Sequence, residues 1–216
     1  HITRRPNMKH IIITLALFLS TSTSFAYYSL MDTAELVEEG KYNTNIEAQF
    51  ITDGESGVNL LGRFDSRLTD DTGYRIEAGV GVVDFNLTGF FKWSPIPDTN
   101  KQPAISISGG VSLARYKFGN ETANDLSLRA HPIVSKKFNV DFGVLIPYVG
   151  IPLGLRTVEG ETDFVTQLTL GAQINPERFD NISFIGEIGF DLNEAFTYIC
   201  FGMNLLIDPN EGIKFQ

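Results

Sequence analysis

The sequence has only one cysteine, Cys200, among its 216 residues. A single cysteine excludes an intrachain disulfide, although small secreted domains commonly depend on several. After residue 26 the apolar runs are all shorter than the about 18 residues that a membrane-spanning helix requires. The fold must therefore be stabilised by packing or by a closed set of backbone hydrogen bonds.

Basic residues are also scarce. From residue 27 onward, 14 Lys and Arg stand against 26 Asp and Glu, and the only basic pair is Lys136-Lys137. Nucleic-acid binding requires clustered Lys and Arg to contact phosphates. The sequence therefore predicts no nucleic-acid partner.

Residues that could carry chemistry are few. His131 is the only histidine after residue 26, and Ser127 or Ser135 would have to act with it in a hydrolytic site that has no obvious orienting acid. Asp70 and Asp71 are adjacent carboxylates in a predicted turn. No phosphate-binding glycine loop, metal-spaced His/Cys set or nucleophile elbow is present. We expect no cofactor, no metal and no catalytic residue, and a structural role for His131.

A recognisable three-part pattern lies near the N-terminus. Met8 to Ala26 combines a short basic start, an apolar run from Ile11 to Leu19, and small residues at Ser24 and Ala26. This pattern predicts a secretory signal peptide, because the apolar run is too short for a helix that spans the bilayer. Residues 1–7 precede the methionine and are interpreted as an upstream artefact.

Residues 27–40 allow two interpretations. An acidic N-terminal linker is one, and a short helix that begins at Asp32, ends at Gly40 and plugs one mouth of the fold is the other. Residues 208–216 are predicted to be a polar C-terminal tail.

The stretch Gly73 to Pro95 shows the pattern that dominates the rest of the chain. Apolar residues occupy every second position from Tyr74 to Val82, and the phase reverses at Val83-Asp84 before it resumes to Trp93. A period of two places alternate side chains on opposite faces of a strand, and a phase reversal indicates a tight turn or a bulge.

The same alternation recurs across residues 41–207 and predicts about ten strands, with 8 to 12 allowed. Pro147 and Pro152 predict an irregular or broken strand, because proline is confined to edges, strand starts and bulges. Consecutive strands with short connections form an antiparallel meander. We therefore predict an all-β fold that closes into an antiparallel up-and-down β-barrel.

The polar face of these strands carries full charges of both signs among many glycines and serines. Such residues suit a narrow interior in which charges pair, whereas the Phe, Leu, Ile and Val of the other face suit a lipid-facing exterior. This arrangement favours a transmembrane barrel over a soluble barrel that binds an apolar ligand. The predicted lumen-lining residues are Glu47, Arg63, Arg75, Glu77, Lys92, Arg129, His131 and Glu187.

The leader and the repeated amphipathic strands resemble those of the small outer-membrane β-barrel proteins of diderm (Gram-negative) bacteria, the OmpA/OmpX-like barrel class. The resemblance implies location in the outer membrane, contact with outer-membrane lipid, transit with periplasmic chaperones, and insertion by the barrel-assembly machinery. It implies no particular ligand or oligomeric state.

Three functions follow as hypotheses. The leading one is a non-enzymatic outer-membrane barrel, structural or with a narrow pore. The others are a lipid-modifying or hydrolytic barrel enzyme that uses His131, and a soluble secreted or periplasmic barrel. If both termini lie in the periplasm, the outward-facing Tyr42, Tyr74 and Trp93 would form one belt at the periplasmic interface.

Overall fold

The computed structural model describes residues 29–53, 56–118 and 121–210. The predicted upstream artefact 1–7, the predicted signal peptide 8–26, and residues 211–216 of the predicted tail lie outside the described residues.

Twelve β-strands make up the described fold. They are β1 Tyr42–Ile51, β2 Gly57–Arg67, β3 Thr72–Gly81, β4 Val83–Ile96, β5 Ala104–Phe118, β6 Glu121–Ser135, β7 Phe138–Val140, β8 Gly143–Gly150, β9 Leu153–Val158, β10 Glu161–Pro176, β11 Ile182–Asn193 and β12 Tyr198–Ile207.

These strands close into an antiparallel barrel of ten strands, as predicted. Closure comes from pairing of the first and last strands, with Tyr42 opposite Ile207 and Ile51 opposite Tyr198. Strands β8 and β9 together occupy one position between β6 and β10: β9 pairs with the half of both neighbours that lies away from the start of β1, and β8 with the other half. The three-residue β7 pairs with β8 alone among the described strands and is not counted in the ten. We call the end at which β1 begins proximal and the other end distal.

The predicted irregular segment is the break between β8 and β9 at Ile151 and Pro152. The predicted phase reversal at Val83-Asp84 is a tight turn between β3 and β4. Gly81 has φ +148° there, and a Cβ atom at this position would clash with the Val58 carbonyl oxygen, so a glycine is required. The connection between β5 and β6 is short, because β5 continues to Phe118 and β6 begins at Glu121.

The barrel is polar inside and apolar outside. Among the described residues, 28 polar or charged side chains are buried against 19 hydrophobic ones, and 33 large hydrophobic side chains are exposed. A soluble barrel has the opposite arrangement, since folding in water buries apolar surface. The exterior of this barrel therefore matches the lipid-facing band of a membrane barrel.

The described part of the N-terminal segment lies inside the barrel. Residues 29–40 form no helix, so the helical alternative was wrong, and the segment is not an exposed linker either. Leu30, Met31 and Ala34 are 0 to 2% exposed and pack in one cluster with Tyr148 and Tyr198 of the wall. We call residues 29–37 the N-terminal plug. No helix of the described residues is long and apolar enough to cross a lipid bilayer.

Candidate functional site

The lumen around the N-terminal plug is the candidate functional site. The structure places all eight predicted lumen residues on the inner face, each between 1 and 9% exposed: Glu47, Arg63, Arg75, Glu77, Lys92, Arg129, His131 and Glu187. Each inward position follows from the alternation along its strand, because neighbouring outward positions such as Ile46 and Ile76 are 68 and 50% exposed.

Arg63 forms the centre of a fully buried charge cluster on the first three strands. Its guanidinium lies 2.9 Å from Glu47 Oε2 and 3.1 Å from Glu77 Oε1, and the three side chains are 0 to 1% exposed. The guanidinium also donates to the Leu30 carbonyl at 2.8 Å and to Ser29 Oγ at 2.6 Å. Arg63 therefore links two strands of the wall to the plug.

A second charge cluster lies nearer the proximal mouth. Arg75 pairs with Asp65 of the neighbouring strand through contacts of 2.5 and 3.2 Å. Asp32 of the plug lies 3.3 Å from Arg75 and 2.9 Å from Lys92. Glu35 of the plug forms an ion pair of its own at the rim, with Lys137. The plug thus supplies the anionic partners of Lys92 and Lys137 and one of the anionic partners of Arg75.

Glu187 binds the plug from the opposite wall. Its two oxygens accept hydrogen bonds from the backbone N–H groups of Leu30 at 2.8 Å and Met31 at 2.6 Å. They also accept from the hydroxyl groups of Tyr148 at 2.6 Å and Tyr198 at 2.5 Å. Four donors satisfy this buried carboxylate within the lumen.

Two glycines make room for the tyrosines that contact Glu187. Gly171 lies opposite Tyr148, and Gly189 lies opposite Tyr198 in the strand register. A Cβ atom at either glycine would collide with the facing tyrosine ring. These glycines inside strands are therefore required for packing, which explains part of the small-residue pattern of the polar face.

The distal half of the lumen is filled by side chains of the wall. Leu61, Val83, Ala114 and Tyr116 form a buried apolar cluster, and Ala195 and Phe196 fold inward from the connection between β11 and β12. Polar residues complete the layer through pairs such as Asn59 with Gln49 and Thr88 with Ser112. The cavity that the described residues form lies at the proximal end.

The residues of the hypothetical hydrolytic site, His131 with Ser127 or Ser135, are not hydrogen-bonded to one another in the described part of the structure. Ser127 donates to Asp125, and Ser135 accepts from the Ala34 N–H at 3.0 Å. His131 instead packs on the ring of Phe90 with a centroid distance of 4.6 Å, and its Nε2 atom has no hydrogen-bond partner among the described residues. Neither Ser127 nor Ser135 therefore forms a hydrogen bond with His131 among the described contacts.

A cavity of about 270 Å³ opens between the plug and the proximal wall. Its lining combines Asp32, Arg75 and Lys92 with an amide network in which Asn204 donates to Gln173 at 3.3 Å and to Ser183 at 3.1 Å. The described His, Cys, Asp and Glu side chains form no group that could hold a metal ion.

Sequence reasoning missed the residues that complete the site. Tyr148 and Tyr198 were not selected, although the inward phase of their strands could have identified them. The plug contacts of Ser29, Leu30 and Thr33 left no signal, because they use backbone groups or a small hydroxyl. Phe90 breaks the alternation, and the structure shows it buried inside the lumen with 5% exposure.

No protein-family model and no curated protein matches this chain. Solved structures with a similar fold include the translocator domain of the autotransporter NalP from Neisseria meningitidis, at 11% identity and a TM-score of 0.40 over 96% of this chain and 97% of that one. The NanC porin aligns at 6% identity and a TM-score of 0.39, over 80% of this chain and 100% of that chain. A de novo designed transmembrane β-barrel aligns at 11% identity and a TM-score of 0.37, with the same coverage. The barrel assignment for this chain rests on its own strand pairing, which is closed and antiparallel throughout.

Proposed function

We propose that this chain is a non-enzymatic outer-membrane β-barrel protein whose lumen is closed by its own N-terminal plug. The inverted distribution of side chains carries the proposal, with 28 buried polar residues inside and 33 exposed large hydrophobic residues outside among the residues described. An exterior of this kind is stable in lipid and unfavourable in water.

The exterior also has aromatic residues where the membrane interfaces would lie. Tyr42 and Trp93 are 37 and 46% exposed at the proximal end, and Tyr42 stacks on Phe64 at 5.4 Å. Phe50 and Phe190 are exposed at the distal end. Amphipathic and aromatic rings favour the interface, so these positions support a spanning orientation.

A plugged lumen favours a structural role over a steadily open pore. The plug occupies the centre, and Tyr116 with Phe196 occupies the distal half. A narrow pore is the second candidate, supported by the proximal cavity of about 270 Å³, and it requires the plug to leave. The partners that we propose for export and insertion of this chain are outer-membrane lipid, periplasmic chaperones and the barrel-assembly machinery.

The test compares two leucines with similar exposure at different heights. Leu128 is 59% exposed at the middle of β6, and Leu68 is 56% exposed just after β2 ends. We expect Leu128→Arg to destabilise the vesicle-inserted barrel by about 2–4 kcal/mol and Leu68→Arg by at most about 1 kcal/mol. The measurement is the free energy of unfolding in urea, with the protein inserted in lipid vesicles. Cell fractionation of the native protein comes first, and we expect recovery from the outer membrane only when detergent is added.

Two results would count against this proposal. Equal small effects of both substitutions, with recovery in the soluble fraction, would indicate a soluble barrel. A steady ohmic conductance of the purified native protein in planar bilayers would indicate an open pore, whereas the proposal predicts none.

A further inference from the structure

The wall of the lumen binds the backbone carbonyls of the plug through basic side chains. Arg63 donates to the carbonyl oxygens of Leu30 at 2.8 Å and Ser29 at 3.2 Å. Lys92 donates to those of Thr33 at 2.6 Å and Glu35 at 2.7 Å. Arg75 is a second donor to the Leu30 carbonyl, at 2.9 Å. The donors therefore contact plug carbonyls from Ser29 to Glu35, as the wall of a peptide-binding groove does.

Glu187 on β11 and Ser135 on β6 bind the backbone N–H groups. Glu187 accepts from Leu30 and Met31, and Ser135 accepts from Ala34. Ser94, on the same strand as Lys92, adds to the carbonyl contacts by donating to the Ala34 carbonyl at 2.7 Å. Groups of the wall therefore contact both the carbonyl and the N–H groups of the segment.

Side-chain recognition is confined to a few positions. Ser29 fits against Glu47 with its hydroxyl donating at 2.8 Å, and the methyl group of Ala34 is fully buried. Among the described plug residues, Asp32 is the one acid that lies close to two cations of the wall, Lys92 and Arg75. The wall thus selects small residues at the first and sixth positions of the segment and an acid at the fourth.

We propose that the lumen is a peptide-binding site. Its ligand is an irregular peptide of seven residues with the pattern of residues 29–35, and the plug is that ligand bound in cis. The inference rests on the proposed function in so far as the plug closes the lumen. Because the wall reads mainly backbone, the same sequence supplied as a separate peptide binds when the plug is displaced.

The attachment of the plug allows this exchange. Among the described contacts the plug is held only by noncovalent interactions, and its link to β1 passes through Gly40, which has φ +75° in a turn closed by Lys41 N–H to the Glu38 carbonyl at 3.1 Å. Rotation at a glycine turn moves the segment as a unit. A peptide in trans then competes with a tethered copy of itself.

The experiment uses the full chain in detergent micelles and a synthetic peptide SLMDTAE with a fluorophore at its C-terminal end. Asp32→Asn in the protein weakens the plug and leaves the wall unchanged, so the peptide should bind this variant about tenfold more tightly than the native chain. Glu38→Gln is the matched control, because its carboxylate pairs with Lys41 outside the lumen and is 66% exposed. It should leave the affinity unchanged.

Two altered peptides test the contacts directly. A peptide with Asn in place of the Asp at its fourth position should bind the Asp32→Asn protein about tenfold more weakly than SLMDTAE. N-methylation at the methionine removes the N–H that Glu187 accepts and should have an effect of the same size. N-methylation at the threonine is the control, since no described group accepts a hydrogen bond from the Thr33 N–H.

A disulfide that fixes the plug to the wall tests whether the peptide binds at the position that the plug occupies. Ala34→Cys with Ser135→Cys, in a Cys200→Ser background, places two thiols where a hydrogen bond of 3.0 Å now joins the segment to the wall. Binding should be lost after oxidation and return after reduction. Binding that persists when the disulfide is formed, or no binding to the Asp32→Asn protein, would overturn the peptide site. Neither result affects the proposed function, which the vesicle and conductance measurements test without peptide.

Discussion

Replacing Arg63 with methionine tests the charge cluster at the centre of the barrel. Methionine keeps much of the volume of the side chain and removes its charge. Glu47 would retain the hydrogen bond from Ser29 Oγ at 2.8 Å. Glu77 would retain only Arg75, at 3.9 Å, as an ion-pair partner among the described contacts. The substitution therefore leaves a nearly uncompensated carboxylate at a site that is 1% exposed.

The size of the loss follows from this burial. Removing one partner of a buried ion pair costs about 3–5 kcal/mol, because the remaining charge is left without compensation. Adding Glu77→Gln to Arg63→Met removes that charge, and we expect it to restore about 1–3 kcal/mol. The double variant should therefore be more stable than the single variant, although it lacks two members of the cluster.

The assay is the free energy of unfolding in urea, measured in lipid vesicles by fluorescence of Trp93, the only tryptophan. The matched control is Arg67→Met on the same strand. Arg67 pairs with Asp70 at 3.4 Å, and that carboxylate is fully exposed, so the loss should be at most about 1 kcal/mol. Equal losses for Arg63→Met and Arg67→Met, or no recovery in the double variant, would refute the buried cluster.

Two further predictions concern the proximal rim and the orientation. In a chain whose single cysteine is replaced by serine, an impermeant thiol reagent added to intact cells should label Glu161→Cys at the distal end and miss Asn100→Cys; the reverse would invert the assigned orientation. The second prediction is tested in detergent micelles. Burial by itself would raise the pKa of Asp98, but hydrogen bonds from Lys136 Nζ and from the Lys137 backbone N–H have the larger effect and hold this pKa below 3.8. Since the pKa is lower in the folded state, this contact stabilises the rim above about pH 4 and is lost as the pH falls through the folded pKa. Titration by NMR should show a higher pKa for Asp98 in Lys136→Met, and an unchanged value would contradict the contact.

The local pattern was sufficient to predict which face of each strand is polar. Arg75 and Glu77 alternate with Tyr74 and Ile76, and a period of two fixes opposite sides of the sheet whatever the strand pairs with. The same pattern predicted ten strands and the break at Pro152, because proline cannot donate to the ladder. The single cysteine excluded an intrachain disulfide, and the short apolar runs after residue 26 predicted no membrane-spanning helix there.

Tertiary structure alone decided what fills the lumen. The pairing of Tyr42 with Ile207 closes the barrel across most of the chain, and no local period specifies such a contact. The sequence pattern allows residues 27–40 to be either a short helix or an acidic linker. In the structure, Glu187 and Lys92 bind the backbone of Leu30 and Thr33 from positions that follow this segment by more than 50 residues. Backbone groups are the same in every residue and leave no trace in the sequence. Only the three-dimensional arrangement of the buried charges shows that this segment completes the interior.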